Sequence, residues 1–392
     1  MTGARSELEG SYQLSVVIMS HPSRVHMAER LVDACAKLDV QVIMDRSAQV
    51  SPDGALATAL RAWQSVADGA THHLVLQDDV IPSPDFAGRL SRAIDADPDR
   101  VFALFSEWGS KTAQTVRLAA LGGYGWASVA DAFLPAPAVL MPATTAKDFA
   151  GYLADRVAKG EKRDAFLLFH YLRAQGRQPQ VCVPNLVQHD VPLHISLLPN
   201  GKVRGPRRTA CYPGSAALPD RWPREIYQLP EHLPYHSPHD LVAGVCSTPD
   251  AENTWKIVPA FVWLAERSWS LTDIDELFRE LVRRRGIQLE DEPLGFDSLK
   301  ECVVAAFVTG WVLAESSQGD WRPFDPDGLP EIQRIALATM AAGPFRRVLS
   351  VRQLDHLEST LPPLLADAII RGAQARNTFT SSAQAGEVRC TG

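Results

Sequence analysis

Short apolar runs alternate with stretches of helical periodicity over the first half of the chain. Residues 16–19 and 74–76 are uninterrupted apolar runs, and each lies in a stretch with the length of a buried strand. Between such runs, apolar residues recur every three to four positions, as at Leu31, Ala34 and Leu38. This alternation predicts an α/β domain with a mostly parallel sheet and helices on both faces. The predicted strands are 14–19, 40–44, 74–77, 101–105, 137–142 and 180–183, and the clearest predicted helices are 54–67, 86–97 and the one beginning at 164.

The second half of the chain carries a different pattern. Ile274, Leu277, Phe278 and Leu281 form one apolar stripe of helical period, and further stripes follow to about residue 370. The stretch before them is rich in Pro, His and Ser, which is typical of a connector. The predicted organisation is a flexible tail (1–12), an α/β domain (13–214), a connector (215–250), an all-helical domain (251–372) and a disordered tail (373–392).

The run that ends in Gln77 leads directly into Asp78 and Asp79, and two prolines follow within five residues. Adjacent carboxylates at a strand end repel each other unless a cation lies between or beside them. Mg²⁺ and Mn²⁺ prefer oxygen ligands and often share them with phosphates. The pair therefore predicts a metal-held nucleotide diphosphate, and the alternative is a solvated turn that closes the strand.

In a parallel sheet the carboxyl ends of neighbouring strands form one edge, where ligands bind. Asp45 ends the second predicted strand, and the His21–Arg24 loop ends the first. We expect both to lie near the acidic residues. A later loop is basic, which favours an anionic ligand, although a solvated surface segment is the alternative; its cations are Lys202, Arg204, Arg207 and Arg208.

Two stretches, 106–109 and 121–126, combine glycines with aromatic residues and predict loops. Aromatic faces stack on sugars and bases, so these loops suit a substrate. Packed turns that use glycine for positive φ are an equal alternative.

Composition narrows the class of protein. The 392 residues are 46% hydrophobic and 22% charged, as in ordinary globular proteins. A formal net charge of −7 without a long basic run argues against nucleic acid as the main partner. The chain shows neither ~18 consecutive apolar residues nor the apolar core of a signal peptide, and its six cysteines are scattered. These features predict a cytoplasmic protein without a membrane span.

The order of elements from about residue 13 to 212 resembles the GT-A class of nucleotide-sugar glycosyltransferases, and family-2-like members in particular. Five stretches carry the resemblance, and the acidic motif is a Gln-Asp-Asp variant of the common Asp-x-Asp or Glu-Asp-Asp. They are Ser15–Arg24, Asp45, Gln77–Asp79, Asp164 at the head of a helix, and Pro184–His189.

The resemblance implies a role for each matching residue. Asp79 and His189 would hold Mn²⁺ or Mg²⁺, with either Asp78 or Asp79 as the main ligand. Asp164 would be the catalytic base, although a carboxylate in the first turn of a helix is also explained by the helix dipole. The residues expected to bind the donor are Ser20, His21, Arg24, Asp45, Gln77, Asp78, Arg204 and Arg207.

The expected activity is metal-dependent, inverting transfer of a sugar from a nucleotide-diphosphate donor to an unidentified acceptor. Two alternatives stay open, a nucleotidyltransferase and a non-catalytic module that binds nucleotide sugars. The helical domain carries no recognisable site, so it is expected to pack on the catalytic domain or on a second copy in a homo-oligomer.

Overall fold

The computed structural model describes residues 12–46, 52–161, 163–189, 205–247, 255–317 and 321–390. They divide into two compact units. Unit 1 takes in the described residues of Met1–Ala119 and Gly123–Tyr227, and unit 2 those of Ala120–Gly122 and Gln228–Gly392.

Unit 1 is built on an eight-stranded mixed sheet. The strands are β1 (Leu14–Ser20), β2 (Val40–Met44), β3 (His72–Gln77), β5 (Phe102–Ala103), β6 (Trp126–Ser128), β7 (Ala138–Pro142), β8 (Gln180–Cys182) and β10 (Ile226–Tyr227). They run in the order β10-β6-β8-β5-β7-β3-β1-β2. Four pairings are parallel, namely β1–β2, β1–β3, β5–β8 and β6–β10, and three are antiparallel. The prediction of an α/β domain with a mostly parallel sheet is confirmed at this level.

Two further strands, β4 (Val80–Pro82) and β9 (Val187–His189), form a small antiparallel sheet of their own. They follow the two acidic residues and the Pro184–Leu186 stretch, respectively. This small sheet therefore brings a late part of the chain back to the end of β3.

Helices cover both faces of the large sheet because its central strands are apolar on both sides. Val16 and Ile18 of β1 face one layer, where they pack with Leu31, Leu90 and Ile94. On the opposite layer, the ring of Trp63 packs edge-on against that of Phe149, with 5.5 Å between the ring centres. The helices of unit 1 are α1 (Val25–Ala34), α2 (Pro52–Gln64), α3 (Phe86–Ala96), α4 (Lys111–Gly122), α5 (Ala143–Ala158) and α6 (Asp164–Ala174), and a one-turn 3₁₀ helix spans Pro22–Arg24.

Helix α4 is absent from the elements predicted above, and it reaches into the expected loop at 121–126, which also contains the start of β6. Thr112, Gln114, Thr115 and Arg117 are all buried on this helix. Their polar groups are used inside the domain; the Thr115 hydroxyl, for example, donates to the Ser128 carbonyl at 2.7 Å. A helix that buries polar residues lacks the apolar stripe from which helices are predicted.

Unit 2 is mainly helical but contains a three-stranded antiparallel sheet, β11 (His232–His236), β12 (Ala243–Ser247) and β13 (Lys256–Pro259). Two of these strands lie in the stretch expected to be a connector, and β13 lies in the stretch expected to be all-helical. The helices are α7 (Ala260–Ala265), α8 (Leu271–Arg285), α9 (Phe296–Ser316), α10 (Glu331–Ala342), α11 (Val351–Thr360) and α12 (Pro362–Cys390), with a 3₁₀ turn at Gly343–Phe345.

Two expected boundaries differ from the structure. The connector expected at 215–250 divides at Tyr227, with its first part in unit 1 and the remainder in unit 2. The tail expected to be disordered from 373 continues helix α12 as far as Cys390. In the described part of the chain, no helix combines the length and apolar character that crossing a bilayer requires.

Candidate active site at the carboxyl edge of the sheet

Asp78 and Asp79, hereafter the acidic pair, lie immediately after β3 at the edge where the parallel strands β1, β2 and β3 end. The Asp78 amide donates to the Met19 carbonyl at 3.0 Å, which fixes the pair against β1. Both residues are buried, with 5% and 6% of their surface exposed. Buried carboxylates this close together require compensation by positive charge or hydrogen-bond donors.

The loop after β1 supplies part of that compensation. His21 caps the 3₁₀ turn, and its Nδ1 accepts the Ser23 amide at 3.2 Å, while Pro22 occupies the first position of the turn. The His21 amide donates to Asp78 Oδ2 at 2.9 Å. The turn therefore wraps around the acidic pair and brings Arg24 toward it.

The guanidinium of Arg24 bridges the acidic pair. Its Nη1 atom lies 3.1 Å from Asp78 Oδ1 and 2.7 Å from Asp79 Oδ2. Arg24 is itself only 6% exposed. The cation that the two adjacent carboxylates require is thus provided by the chain.

His189 reaches the same place from the small sheet. It pairs with Val80 in the β4–β9 ladder. Its Nε2 lies 3.3 Å from Asp79 Oδ2, and the centre of its ring lies 5.7 Å from the centre of the Phe105 ring. His189 is therefore in contact with Asp79.

The two carboxyls of the acidic pair have opposite pKa shifts. Burial raises the pKa of Asp78, and the negative charge of Asp79 adds to this effect. Burial also acts to raise the pKa of Asp79, but His189, Arg24 and Arg207 together lower it well below its ordinary value. Asp79 is therefore the carboxylate that stays ionised.

A divalent cation at this site would need free donor atoms on these residues. Asp79 Oδ1 and His189 Nδ1 are buried and have no hydrogen-bond partner among the described residues, whereas His189 Nε2 already contacts Asp79 Oδ2. However, Arg24 Nη1 already contacts an oxygen of each carboxylate, and within the described ranges no group of three or more His, Cys, Asp or Glu has an arrangement that would hold an ion. The residues as arranged do not fit Mg²⁺ or Mn²⁺ unless the guanidinium leaves.

The described end of the basic loop, residues 205–208, packs beside this site. Arg207 is close enough for its charge to lower the pKa of Asp79. The guanidinium of Arg208 lies 5.3 Å from the centre of the Trp108 ring. Lys202 and Arg204, also expected to bind an anion, lie outside the described residues.

A buried polar frame holds this loop in place. The Thr209 hydroxyl donates to Asn185 Oδ1 at 2.7 Å, and the Thr209 amide donates to Gln188 Oε1 at 2.6 Å. Trp108 Nε1 donates to the Pro206 carbonyl at 2.9 Å. The frame joins three separate chain segments around the site, and it was not predicted from the sequence. The only signal was the presence of polar residues within apolar runs.

Three more expected donor-binding residues lie at the ends of the parallel strands. The Asp45 amide donates to the Ser20 carbonyl at 2.7 Å, so the ends of β1 and β2 are adjacent. Ser20 is buried, whereas Asp45 and Gln77 are partly exposed. All three share the sheet edge with the acidic pair.

Asp164 is the first residue of α6, and the capping position before it is Arg163, whose side chain makes no capping bond. Burial raises the pKa of Asp164, while the backbone N–H groups of Ala165 and Asp164 oppose this effect. Among the described residues, no hydrogen bond or ion pair joins Asp164 to the acidic pair. The structure therefore does not place the expected base in direct contact with the other site residues.

Comparison of the sequence with known proteins adds no assignment. No protein-family model matches the chain, and no curated protein matches it either.

Proposed function

We propose that this protein is a glycosyltransferase of the GT-A type that moves a sugar from a nucleoside-diphosphate donor to an acceptor, with inversion. One observation carries the proposal: the acidic pair, Arg24 and His189 cluster at the carboxyl edge of β1 and β3. Ligands of open α/β sheets bind at this edge. Four of the five stretches that carry the family resemblance meet there.

The cluster suits a polyanionic ligand. Arg24 and Arg207 are positive, and Arg207 is partly exposed near the buried acidic pair. Positive groups fixed in a partly dry site stabilise the charge that develops on a departing diphosphate. The nucleotide would extend along the edge toward Asp45, at the end of β2.

The reaction is a single displacement. An acceptor hydroxyl oxygen forms the bond to the anomeric carbon while the bond from that carbon to the diphosphate oxygen breaks. The hydroxyl proton goes to a carboxylate, a role we assign to Asp164. The raised pKa of Asp164 makes it a stronger base than an ordinary aspartate.

The first experiment measures binding and turnover with a panel of nucleoside diphosphates and nucleotide sugars. We expect one base to raise the melting temperature of the protein and its sugar donor to be consumed. Asp79 holds the Arg24 guanidinium by an ion pair of 2.7 Å, so Asp79→Asn should lower turnover about 10²–10³-fold, the usual cost of disturbing a preorganised electrostatic contact in an active site. Asp33→Asn, at an exposed position on α1, is the matched control. Absence of any nucleotide binding would refute the proposal.

A second candidate is a non-catalytic module that binds nucleotide sugars. The contact between Arg24 and both carboxylates favours it, because this ion pair neutralises the acidic motif. Nucleotide binding without donor consumption, over a broad set of acceptors, would identify the module rather than the enzyme.

A further inference from the structure

We infer that Arg24 is a built-in counter-cation of the acidic pair that takes the place of a divalent ion, so that the site binds its diphosphate ligand without metal. The part concerning the ligand rests on the proposed function. The part concerning the cation does not, because it depends only on the arrangement of Arg24, Asp78, Asp79 and His189.

The position of Arg24 between the two carboxylates excludes a divalent ion from the same place. A single nitrogen of Arg24 contacts an oxygen of each carboxylate, at 3.1 and 2.7 Å. Mg²⁺ would need those oxygens at about 2.0–2.1 Å, within an octahedron of oxygen ligands. The ion and the guanidinium would therefore compete for the same faces of the same two carboxylates.

The positive charge of Arg24 compensates the negative charge of the acidic pair. An arginine stays protonated at every physiological pH, so its compensation of the acidic pair is permanent. Arg207 adds positive charge near Asp79, and the His21 amide already donates to Asp78. A divalent ion would enter a site in which the negative charge has already been neutralised, and it would be repelled by the guanidinium at close range.

Arg24 is held in place by its backbone and by its burial. Its backbone amide closes the 3₁₀ turn on the His21 carbonyl at 2.8 Å, and α1 begins at the next residue. The residue is only 6% exposed. Moving the guanidinium away would leave two buried carboxylates without their partner, and such a loss is strongly unfavourable.

The arrangement makes a prediction about the variant without the guanidinium. Asp78 Oδ1 and Asp79 Oδ2 lie beside Arg24 Nη1, and His189 Nε2 lies 3.3 Å from Asp79 Oδ2, so these donors can close on an ion once the guanidinium is removed. Two carboxylates and an imidazole are suitable ligands for Mn²⁺. Arg24→Met removes the charge at similar length, so it should create a manganese site that the wild type lacks.

The test is a titration with Mn²⁺ alone, followed by EPR of the free ion and by thermal unfolding. Wild type and Arg24→Lys should bind no Mn²⁺ at millimolar concentration and show no shift in melting temperature. Arg24→Met should bind one equivalent and gain on the order of 5 °C with the ion in large excess over its dissociation constant. Arg30→Met, which removes an exposed arginine from α1, is the control.

Stoichiometric binding of Mn²⁺ to the wild type, abolished by Asp79→Asn, would overturn the inference. So would an Arg24→Met protein that folds but gains no ion. If Arg24→Met does not fold, the wild type and Arg24→Lys titrations decide the question.

A second measurement separates this inference from the proposed function. Nucleotide binding by the wild type is compared in EDTA and in Mn²⁺, and equal affinity is expected. Binding that requires Mn²⁺ would refute the built-in cation while leaving the glycosyltransferase proposal intact. Absence of nucleotide binding in both conditions would refute the function while leaving the manganese result valid.

Discussion

At the scale of single residues, the stability of the folded protein and the proposed catalytic role place opposite demands on Asp164. Burial raises its pKa, so the folded protein disfavours the ionised form that a base requires. The interaction of its charge with the helix dipole contributes only about 0.3–1 kcal/mol in the opposite direction. Asp164 is thus a carboxylate that the fold holds at some cost, as residues with a catalytic function often are.

The variant Asp164→Asn keeps the shape of the side chain but cannot take a proton from the acceptor. We expect unchanged or slightly higher melting temperature, unchanged nucleotide binding, and transfer slower by about 10²–10⁴-fold. Asp155→Asn, at an exposed position on α5, is the control and should keep full activity. Normal turnover by Asp164→Asn, or retained anomeric configuration in the product, would remove Asp164 from the mechanism.

The lowered pKa of His73 leads to a prediction for how the free energy of unfolding of unit 1 depends on pH. It is fully buried in β3, and burial lowers the pKa of its imidazole to about 4, although its hydrogen bonds with the Ala62 carbonyl and with Ser15 oppose this effect. The unfolded chain would take up the proton near the ordinary pKa of about 6.5. Between these two values the unfolded state binds more protons, so the free energy of unfolding decreases as the pH falls from about 6.5 to about 4.

This difference between the pKa of His73 in the folded and in the unfolded state corresponds to a change of about 3 kcal/mol in the free energy of unfolding over that pH range. His73→Gln keeps hydrogen-bonding capacity but does not titrate, so its denaturant unfolding should lose that part of the pH dependence. His26→Gln, at an exposed position on α1, removes one imidazole and should leave the profile of the wild type unchanged. Parallel pH profiles for wild type and His73→Gln would contradict the assignment.

The need for a cation beside two adjacent carboxylates could be predicted from residue identities alone, because the repulsion is local. Which cation provides it could not be predicted. Arg24 is 54 residues from Asp78 along the chain, and only the register of β1 against β3 brings them together. From the sequence, Arg24 is expected among the donor-binding residues and a metal is expected on the carboxylates.

At the scale of elements, helices α9 and α12 of unit 2 pack at a close crossing that two glycines allow. A Cβ atom added at Gly310 would lie 1.8 Å from the Ile369 carbonyl oxygen, and one added at Gly372 would lie 1.9 Å from that of Phe307. In each case the nearest atom is backbone of the facing helix. A methyl group at either position therefore forces the helices apart.

Gly310→Ala and Gly372→Ala should each lower the free energy of unfolding by about 1–3 kcal/mol, the usual cost of overpacking a core. Gly151→Ala is the matched control, because nothing lies within 4 Å of a Cβ added there on helix α5. Alanine is the better helix former by about 0.8–1 kcal/mol, so this control should be neutral or stabilising. Equal melting temperatures for all three variants would show that the close crossing is not required.

Elements were predictable where they contain a run of apolar residues. Strands β1, β2 and β3 contain such runs at residues 16–19, 42–44 and 74–76, and the structure has these strands close to the predicted positions. Helix α4 was not predicted because it buries Arg117, whose guanidinium donates to the Trp108 carbonyl at 2.5 Å. Periodicity records apolar faces only, and it cannot detect a buried polar face whose hydrogen bonds come from distant segments.

At the scale of the whole molecule, the boundary between the two units depends on contacts that local pattern does not show. Residues 215–227 contain prolines and charges and were expected to belong to a connector. Trp222 in this stretch is nonetheless 6% exposed, and its Nε1 donates to the Gly125 carbonyl at 3.0 Å. Strand β10 then completes the large sheet beside β6. Since β10 has only two residues, no periodicity could have indicated it.

The two boundaries make different predictions for truncated chains. A fragment of residues 1–227 retains all eight strands of the large sheet and every described residue of the candidate site. A fragment of residues 1–214, which ends at the boundary predicted from sequence, lacks β10 and Trp222. We expect the longer fragment to fold cooperatively and to bind the same nucleotide as the full chain. The shorter one should be less stable by on the order of 3–5 kcal/mol, the cost of removing a buried tryptophan.

The physical reason for that loss is local to Gly125. A Cβ atom added at Gly125 would lie 2.2 Å from the Pro223 carbonyl oxygen, so the 222–223 segment lies directly against the backbone before β6. The centre of the Trp222 ring also lies 5.9 Å from the centre of the Trp126 ring in β6. Chemical denaturation of the two fragments, with Trp222→Ala in the full chain as an independent check, measures this contribution. Equal stability of the two fragments would place the boundary near residue 214. Failure of the longer fragment to fold, when the full chain does, would show that unit 1 depends on residues 228–392.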